Sequence, residues 1–189
     1  MNMTRIVVLI ALVGIVLGPW YTEAEYNWVK HTISELAAQN TRNAWVMQIG
    51  LVALGVGILI DFFRKRNPVD IPFAAFGVFI ALTGFLPHRP IVEDRPYNTM
   101  LDFLHSVFAF LTGLSAILGF VVRWIDEVNI PNKVIYFSLA ILYTVLSFLM
   151  TIFPECTGVF QRIIFGTFLI WAFFDFPRKK MNQTNCIAD

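Results

Sequence analysis

The chain has 189 residues and a formal net charge of +1, with 57% hydrophobic and 14% charged residues, and its mean hydropathy is +0.67. Soluble domains carry roughly 25% charged residues, so an ordinary soluble fold is excluded. The sequence offers no Gly-rich phosphate loop and no basic surface for nucleic acid.

The apolar residues fall in six blocks: Ile6–Tyr21, Ala44–Phe63, Ile71–Pro87, Leu101–Ile125, Val134–Phe153 and Gly158–Phe176. Each approaches the roughly 20 residues that cross a bilayer core as a helix. The runs are continuous and do not alternate, which argues against a β-barrel. The expected fold is therefore all-α, a single domain over 1–189 forming a bundle of six transmembrane helices in an integral, multi-pass membrane protein. The first block follows Arg5 as a signal peptide would. It is followed by PWYTEAEY and no A-x-A site, so it reads as an uncleaved first span.

Lys and Arg set the orientation. The N-terminus, the 61–70 loop, the 123–133 loop and the C-terminal tail hold nine: Arg5, Arg64, Lys65, Arg66, Arg123, Lys133, Arg178, Lys179 and Lys180. The opposite loops hold four, Lys30, Arg42, Arg89 and Arg95, or five with Arg162. This places both termini in the cytoplasm, in a prokaryotic cytoplasmic membrane. Asp61 and Arg123, near block ends, are expected to reach the interface. The two cysteines, Cys156 and Cys186, fall on opposite faces and so cannot pair. The sequon NQT at 182–184 falls on the cytoplasmic side and is discounted. Seven of the glycines, Gly50, Gly55, Gly57, Gly77, Gly84, Gly113 and Gly119, suit close helix packing.

The first outer loop contains NWVKHTISELAA over 27–38. His31 precedes Ser34 by three residues and Glu35 by four, spacings that share one face of a helix. The third block ends in GFLPHRP with His88, and the fourth opens with DFLHS, where Asp102 precedes His105 by three. All three histidines of the chain map to this one face, with Arg162 of GVFQR about a turn into the sixth block. Ionisable residues inside spans face a bundle interior or a wet cavity. Three neutral imidazoles beside carboxylates have the donor set of an open zinc site, where bound water becomes a nucleophile. On that reading His31, His88 and His105 bind Zn²⁺. Asp102, Glu35 and Ser34 support the chemistry, and Arg162 orients an anionic headgroup or pairs with Asp102 or Glu35. The plainer reading makes TISE a capping box, with TMLD at Thr99–Asp102 of similar form. Arg162 then only reaches the headgroup region.

The stretches HTISELAAQNTRNAWVMQIGLVALG, GFLPH, the fourth-block histidine and GVFQRIIFGTFLIW resemble the integral membrane proteins grouped as domain-of-unknown-function family 998. The resemblance rests on His31, Ser34, Glu35, Leu36, His88, His105, Gln161 and Arg162. It implies a six-helix fold and no activity. A more distant similarity, in residue types alone, is to the alkaline ceramidase and adiponectin-receptor superfamily, whose members join a Ser, an Asp and three His around zinc. This chain has six spans rather than seven.

Three functions remain open on the sequence. One is a metal-dependent hydrolase or transferase of lipid-like substrates. Another is a non-catalytic protein that binds a lipid, small ligand or partner through the same polar site. The third is a haem-binding redox protein using two of the histidines.

Overall fold

The computed structural model describes residues 2–92 and 94–176. Arg178–Lys180, the sequon and Cys186 lie outside the described residues. Among the described residues six helical spans are long and apolar enough to cross a membrane; they are built on α1 (Met3–Tyr21), α2 (Ala44–Lys65), α3 (Ile71–Phe85), α4 (Thr99–Asp126), α5 (Ile130–Ile152) and α6 (Thr157–Asp175), the third and sixth counted with the 3₁₀ turn that precedes each. The protein is thus an all-α, multi-pass membrane protein. Three single-turn 3₁₀ segments, Ser34–Ala37, Pro68–Asp70 and Pro154–Cys156, lie in the connections.

The boundaries follow local chemistry. Asn98 caps α4, accepting from the Met100 and Leu101 amides, and Asn129 caps α5, accepting from the Asn132 amide. α2 ends where Arg66 turns left-handed, at φ 47°. α3 stops at Phe85, two residues before Pro87, because the residue ahead of a proline is pushed out of the α region. Asn98, not Thr99, is the cap of α4, so TMLD is not the box its sequence resembles. Asp102 is left free for other partners.

Helices adjacent in sequence pack against one another, and α6 closes the ring onto α1. The start of α1 meets the end of α6 directly: Arg5 Nε donates to the Phe173 carbonyl at 2.8 Å. The centre is aromatic. Phe73 of α3 contacts Phe120, Phe168 and Trp171, with Trp171 at 4.4 Å between ring centroids. α2 and α3 approach so closely that a Cβ on Gly77 would lie 3.0 Å from the Gly55 carbonyl oxygen, the small-residue contact expected of membrane helices. Gly113 differs, because a Cβ there meets nothing within 4 Å.

The two ends of the bundle are closed differently. At one end the segment between α1 and α2 folds inward. Ile33, Leu36, Ala37 and Ala38 are fully buried, so this loop is a plug set into the ring. At the other end Arg123 of α4 is fully buried. Its Nε and Nη2 donate to Asp70 Oδ1 at 3.1 and 2.6 Å, and Nη1 donates to Asp175 Oδ2 at 2.5 Å. Tyr136 and Trp171 donate to the same Asp175 oxygen at 2.6 and 3.0 Å. The guanidinium also lies 4.9 Å from the Trp171 ring centroid.

Asp61 is buried too, accepting from the Thr4 amide at 2.7 Å. The expectation that Asp61 and Arg123 reach the interface is therefore corrected. Near a membrane boundary a charge can be stabilised inward by partners as well as outward by water.

Removing one partner of a buried charge network strands the others and costs about 3–5 kcal/mol. Arg123→Ala should lower thermal stability in detergent by that order. Arg123→Lys should recover only part, since one ammonium lacks the forked donors that serve Asp70 and Asp175 together. Thermal unfolding followed by monodispersity on size exclusion checks both.

Candidate functional site

The polar residues singled out from the sequence gather at the plugged end, in two clusters. The first is built on the plug. Glu35 accepts from the Thr32 amide at 2.5 Å and from the Thr32 hydroxyl at 2.8 Å, which is the glutamate's half of the expected capping box; the threonine's half is corrected, because the N-cap of the 3₁₀ segment is Ile33 and no side chain caps it. His31, however, lies in a turn ahead of the 3₁₀ segment, not on one helical face with Ser34 and Glu35. Its Nδ1 accepts from the Asn27 amide at 3.0 Å, and its ring packs on Tyr26 at 5.5 Å.

Arg162 of α6 holds the plug from the side. Its Nη1 donates to the carbonyls of Trp28 and His31 at 2.6 and 3.0 Å, and Nη2 donates to the Tyr26 hydroxyl. Burial pushes the Tyr26 phenol up from its usual value, opposed by the Arg162 charge. Among the described residues Arg162 forms no ion pair with Asp102 or Glu35. The first amides of α6 donate into the same loop, Gly158 to Lys30 and Val159 to Val29, both at 3.2 Å. A Cβ on Gly158 would press on the Trp28 and Val29 carbonyls, at 2.5 and 2.8 Å, so glycine is required for this seat.

The second cluster joins the end of α3 to the start of α4. His88 and His105 have ring centroids 5.2 Å apart. Asp102 Oδ1 lies 3.5 Å from His88 Nε2 and accepts from the Arg89 amide at 2.8 Å. His105 Nδ1 faces the Leu86 and Thr83 carbonyl oxygens at 2.6 and 3.2 Å. Carbonyls only accept, so Nδ1 carries the proton and caps the last turn of α3. Nε2 is then a bare lone pair. It is buried with no hydrogen-bond partner among the described residues. An unmet buried acceptor costs about 1–3 kcal/mol, and such a group in a native protein calls for an explanation.

The two clusters meet at a cavity of about 390 Å³ inside the bundle. Ser34 and Gln161 line it from the first cluster and His105 from the second. The rest of the wall is mostly apolar, including Phe76, Ile80, Phe110, Ile117, Met150 and Phe165. Among the described residues, no Asp, Glu, Lys or Arg lines it. Its threonine and tyrosine hydroxyls have spent their protons on helix carbonyls: Thr83 on Ile80, Thr112 on Phe108, Thr151 on Phe148 and Tyr143 on Ile164, at 2.7–2.8 Å. Ser34 is likewise committed. Its oxygen lies 3.1 Å from that of Thr32, whose only hydroxyl proton goes to Glu35, so Ser34 donates to Thr32 and keeps its lone pairs free. Gln161 Oε1 accepts from the Ile33 amide at 2.5 Å, leaving its amide nitrogen as a donor.

The expected zinc trio has no counterpart in this geometry. Among the described residues no group of three or more His, Cys, Asp or Glu is placed to hold a metal ion. His31 is engaged in the plug, while His88 and His105 stand together. The cavity residues Thr83, Thr112, Tyr143 and Ser147 were not singled out in the sequence. Their one signal is a hydroxyl at an inward position of an otherwise apolar span.

The loop rim also carries an ion pair between Arg95 and Glu23. Arg95 Nη1 donates to Glu23 Oε1 at 2.5 Å, and the Arg42 amide donates to the same oxygen at 2.8 Å. The Arg95 hydrogen bond, with that of Arg42, holds the Glu23 carboxyl below its usual value. A depressed carboxyl pKa stabilises the fold above the unfolded value, near 4.3, and the effect is lost as pH falls through the folded value. Wild type should therefore be more heat-stable than Glu23→Gln at pH 6, and the gap should close as the pH drops below about 4. Paired thermal melts over pH 3 to 7 read this out.

The model of a family described as Protein of unknown function (DUF998) matches residues 6–174. Neither the curated proteins nor the solved structures contain a match.

Proposed function

We propose, from the premise that this chain belongs to the DUF998 family, that it binds a lipid-like amphiphile non-catalytically in the cavity beneath the plug. The observation that carries this reading is the cavity itself. It measures about 390 Å³, has a mostly apolar wall, and includes Ser34, Gln161 and His105 in its lining. Ligand sites have this form, a mostly apolar concavity with a few placed polar groups. At the ~30 Å³ of a water-sized group, the volume takes on the order of a dozen heavy atoms. That matches one chain with a small head.

A hydrolase is supported less well. The Ser34 hydroxyl donates to Thr32 and not to a histidine, so no base is set to activate it. Arg162 is taken up by loop carbonyls, which leaves it poorly placed to clamp an anion.

We assign the plugged end to the extracytoplasmic face. The cluster Arg64, Lys65 and Arg66 lies at the opposite end, as the preference for basic residues inside requires. In a Cys186→Ser background, an impermeant maleimide added to intact cells should label Cys156, which sits at the plugged end and is partly exposed. Labelling only after cell lysis would reverse the orientation.

Gly113 lines the cavity, and a Cβ there meets nothing within 4 Å, so a large side chain there starts in open space. Gly113→Trp should keep thermal stability within about 1 kcal/mol and abolish retention of co-purifying amphiphiles, read by mass spectrometry of lipid extracts. Equal retention by both proteins would refute the binding role.

A further inference from the structure

We infer that the cavity opens sideways into the bilayer, through a mouth between α4 and α5 in the leaflet at the plugged end, and that its ligand is a single-chain amphiphile drawn from that leaflet and not from water. The inference rests on the cavity reading above and adds the route and the source of the ligand.

The sides of the cavity differ in what covers them. Toward α2 and α3 it is sealed, since Leu51, Phe76, Ile80 and Thr83 are buried. At the plugged end it is roofed by the segment whose Ile33, Leu36, Ala37 and Ala38 are fully buried, and α6 holds that segment through Gln161 and Arg162. Toward the other end α4 and α5 are closed by aromatic pairs, Phe120 with Tyr143 at 5.2 Å and Trp124 with Phe137 at 5.3 Å between centroids. The lining residues of α6 are buried or half-buried. The exposed members of the lining all come from α4 and α5. Phe110 and Leu114 of α4 line the cavity yet are 70% and 41% exposed. Ser147 and Thr151, in the last two turns of α5, line it and are exposed as well. Gly113 lies between the two α4 residues, and a Cβ there meets nothing within 4 Å. A glycine in a membrane helix commonly admits a close neighbour; here none comes within reach of a Cβ. On the plugged side of the Phe120–Tyr143 pair, then, α4 and α5 leave a gap that leads into the cavity. Both helices are long and apolar enough to cross a membrane, so a gap between them at this depth faces acyl chains and not water. Its four exposed rim residues are uncharged, and an apolar chain passes them without stripping water from a charge.

The test uses the full chain in dioleoylphosphatidylcholine nanodiscs, with Cys156→Ser and Cys186→Ser as background and Gly113→Cys as a trap inside the cavity. Two thiol reagents are compared by intact mass: N-dodecylmaleimide, which dissolves in the bilayer, and a disulfonated maleimide confined to water. N-dodecylmaleimide should modify the trap and the disulfonated reagent should not. Adding Ser147→Trp, a bulky side chain on the rim, should slow the modification about tenfold or more, the effect of about 1.4 kcal/mol added to the entry barrier. Leu118→Cys is the control: it is exposed on α4 and outside the cavity lining, so its modification should not respond to Ser147→Trp. Arg162→Gln, which loosens the plug, should leave the trap's rate unchanged; if that variant fails to fold, the rim comparison decides alone. Modification of the trap by the disulfonated reagent, no modification by either reagent, or a rate that Ser147→Trp leaves unchanged overturns the lateral mouth. So does a rate raised by Arg162→Gln. Each of these leaves the cavity reading standing, because that reading fails separately, when Gly113→Trp retains amphiphiles as wild type does, and then takes this inference with it.

Discussion

A helix that ends at membrane depth leaves amides and carbonyls without water to satisfy them, and the polar side chains of this chain are spent chiefly on that problem. Asp61 takes the Thr4 amide at the start of α1. Arg5 serves the Phe173 carbonyl at the end of α6. His105 caps the end of α3 through Leu86 and Thr83. The first amides of α6 find the carbonyls of the plug, and Arg162 collects two more of them. In each case a residue on one helix satisfies the terminus of another element, so the same bonds that meet the backbone demand also fix how the elements pack.

That arrangement explains why the candidate site has its particular chemistry. His105 has two ring nitrogens and the α3 terminus uses one. The other is left as a buried acceptor without a partner among the described residues, and its tautomer is held by backbone. The capping of the plug has a parallel effect. Glu35 takes the Thr32 hydroxyl and Thr32 takes that of Ser34, so a residue that reads as a nucleophile in the sequence becomes an acceptor in the fold. Structural duties thus set the polarity of the cavity wall.

The opposite end uses charge instead of capping. Arg123 joins α4 to Asp70 at the head of α3 and to Asp175 at the foot of α6, with Tyr136 of α5 on the same carboxylate. A buried network of this kind is a weak source of net stability but a strong penalty on any arrangement that breaks it. It pins four helices where Phe73, Phe120 and Trp171 meet, and so holds the floor of the bundle while the plug shapes its roof.

The sequence by itself determined the six spans, because a bilayer demands about 20 apolar residues per crossing and composition alone reveals them. It also determined the bond from the Thr32 amide to Glu35, since that contact is local, though not the N-cap, which is Ile33 and not Thr32. The gathering of His88, Asp102 and His105 was legible for a similar reason: a short connection and one helical turn bring them together. Tertiary structure decided what depends on residues far apart in the chain. His31 was withdrawn from its supposed partners by a turn that the i, i+3 spacing could not reveal. Arg162 found carbonyls more than 130 positions away, where the sequence offered carboxylates. Arg123 turned inward because Asp70 and Asp175 converge on it. The cavity is the extreme case. Its wall draws on five helices and the plug, and each hydroxyl in it looks, along the chain, like an isolated polar residue in an apolar run.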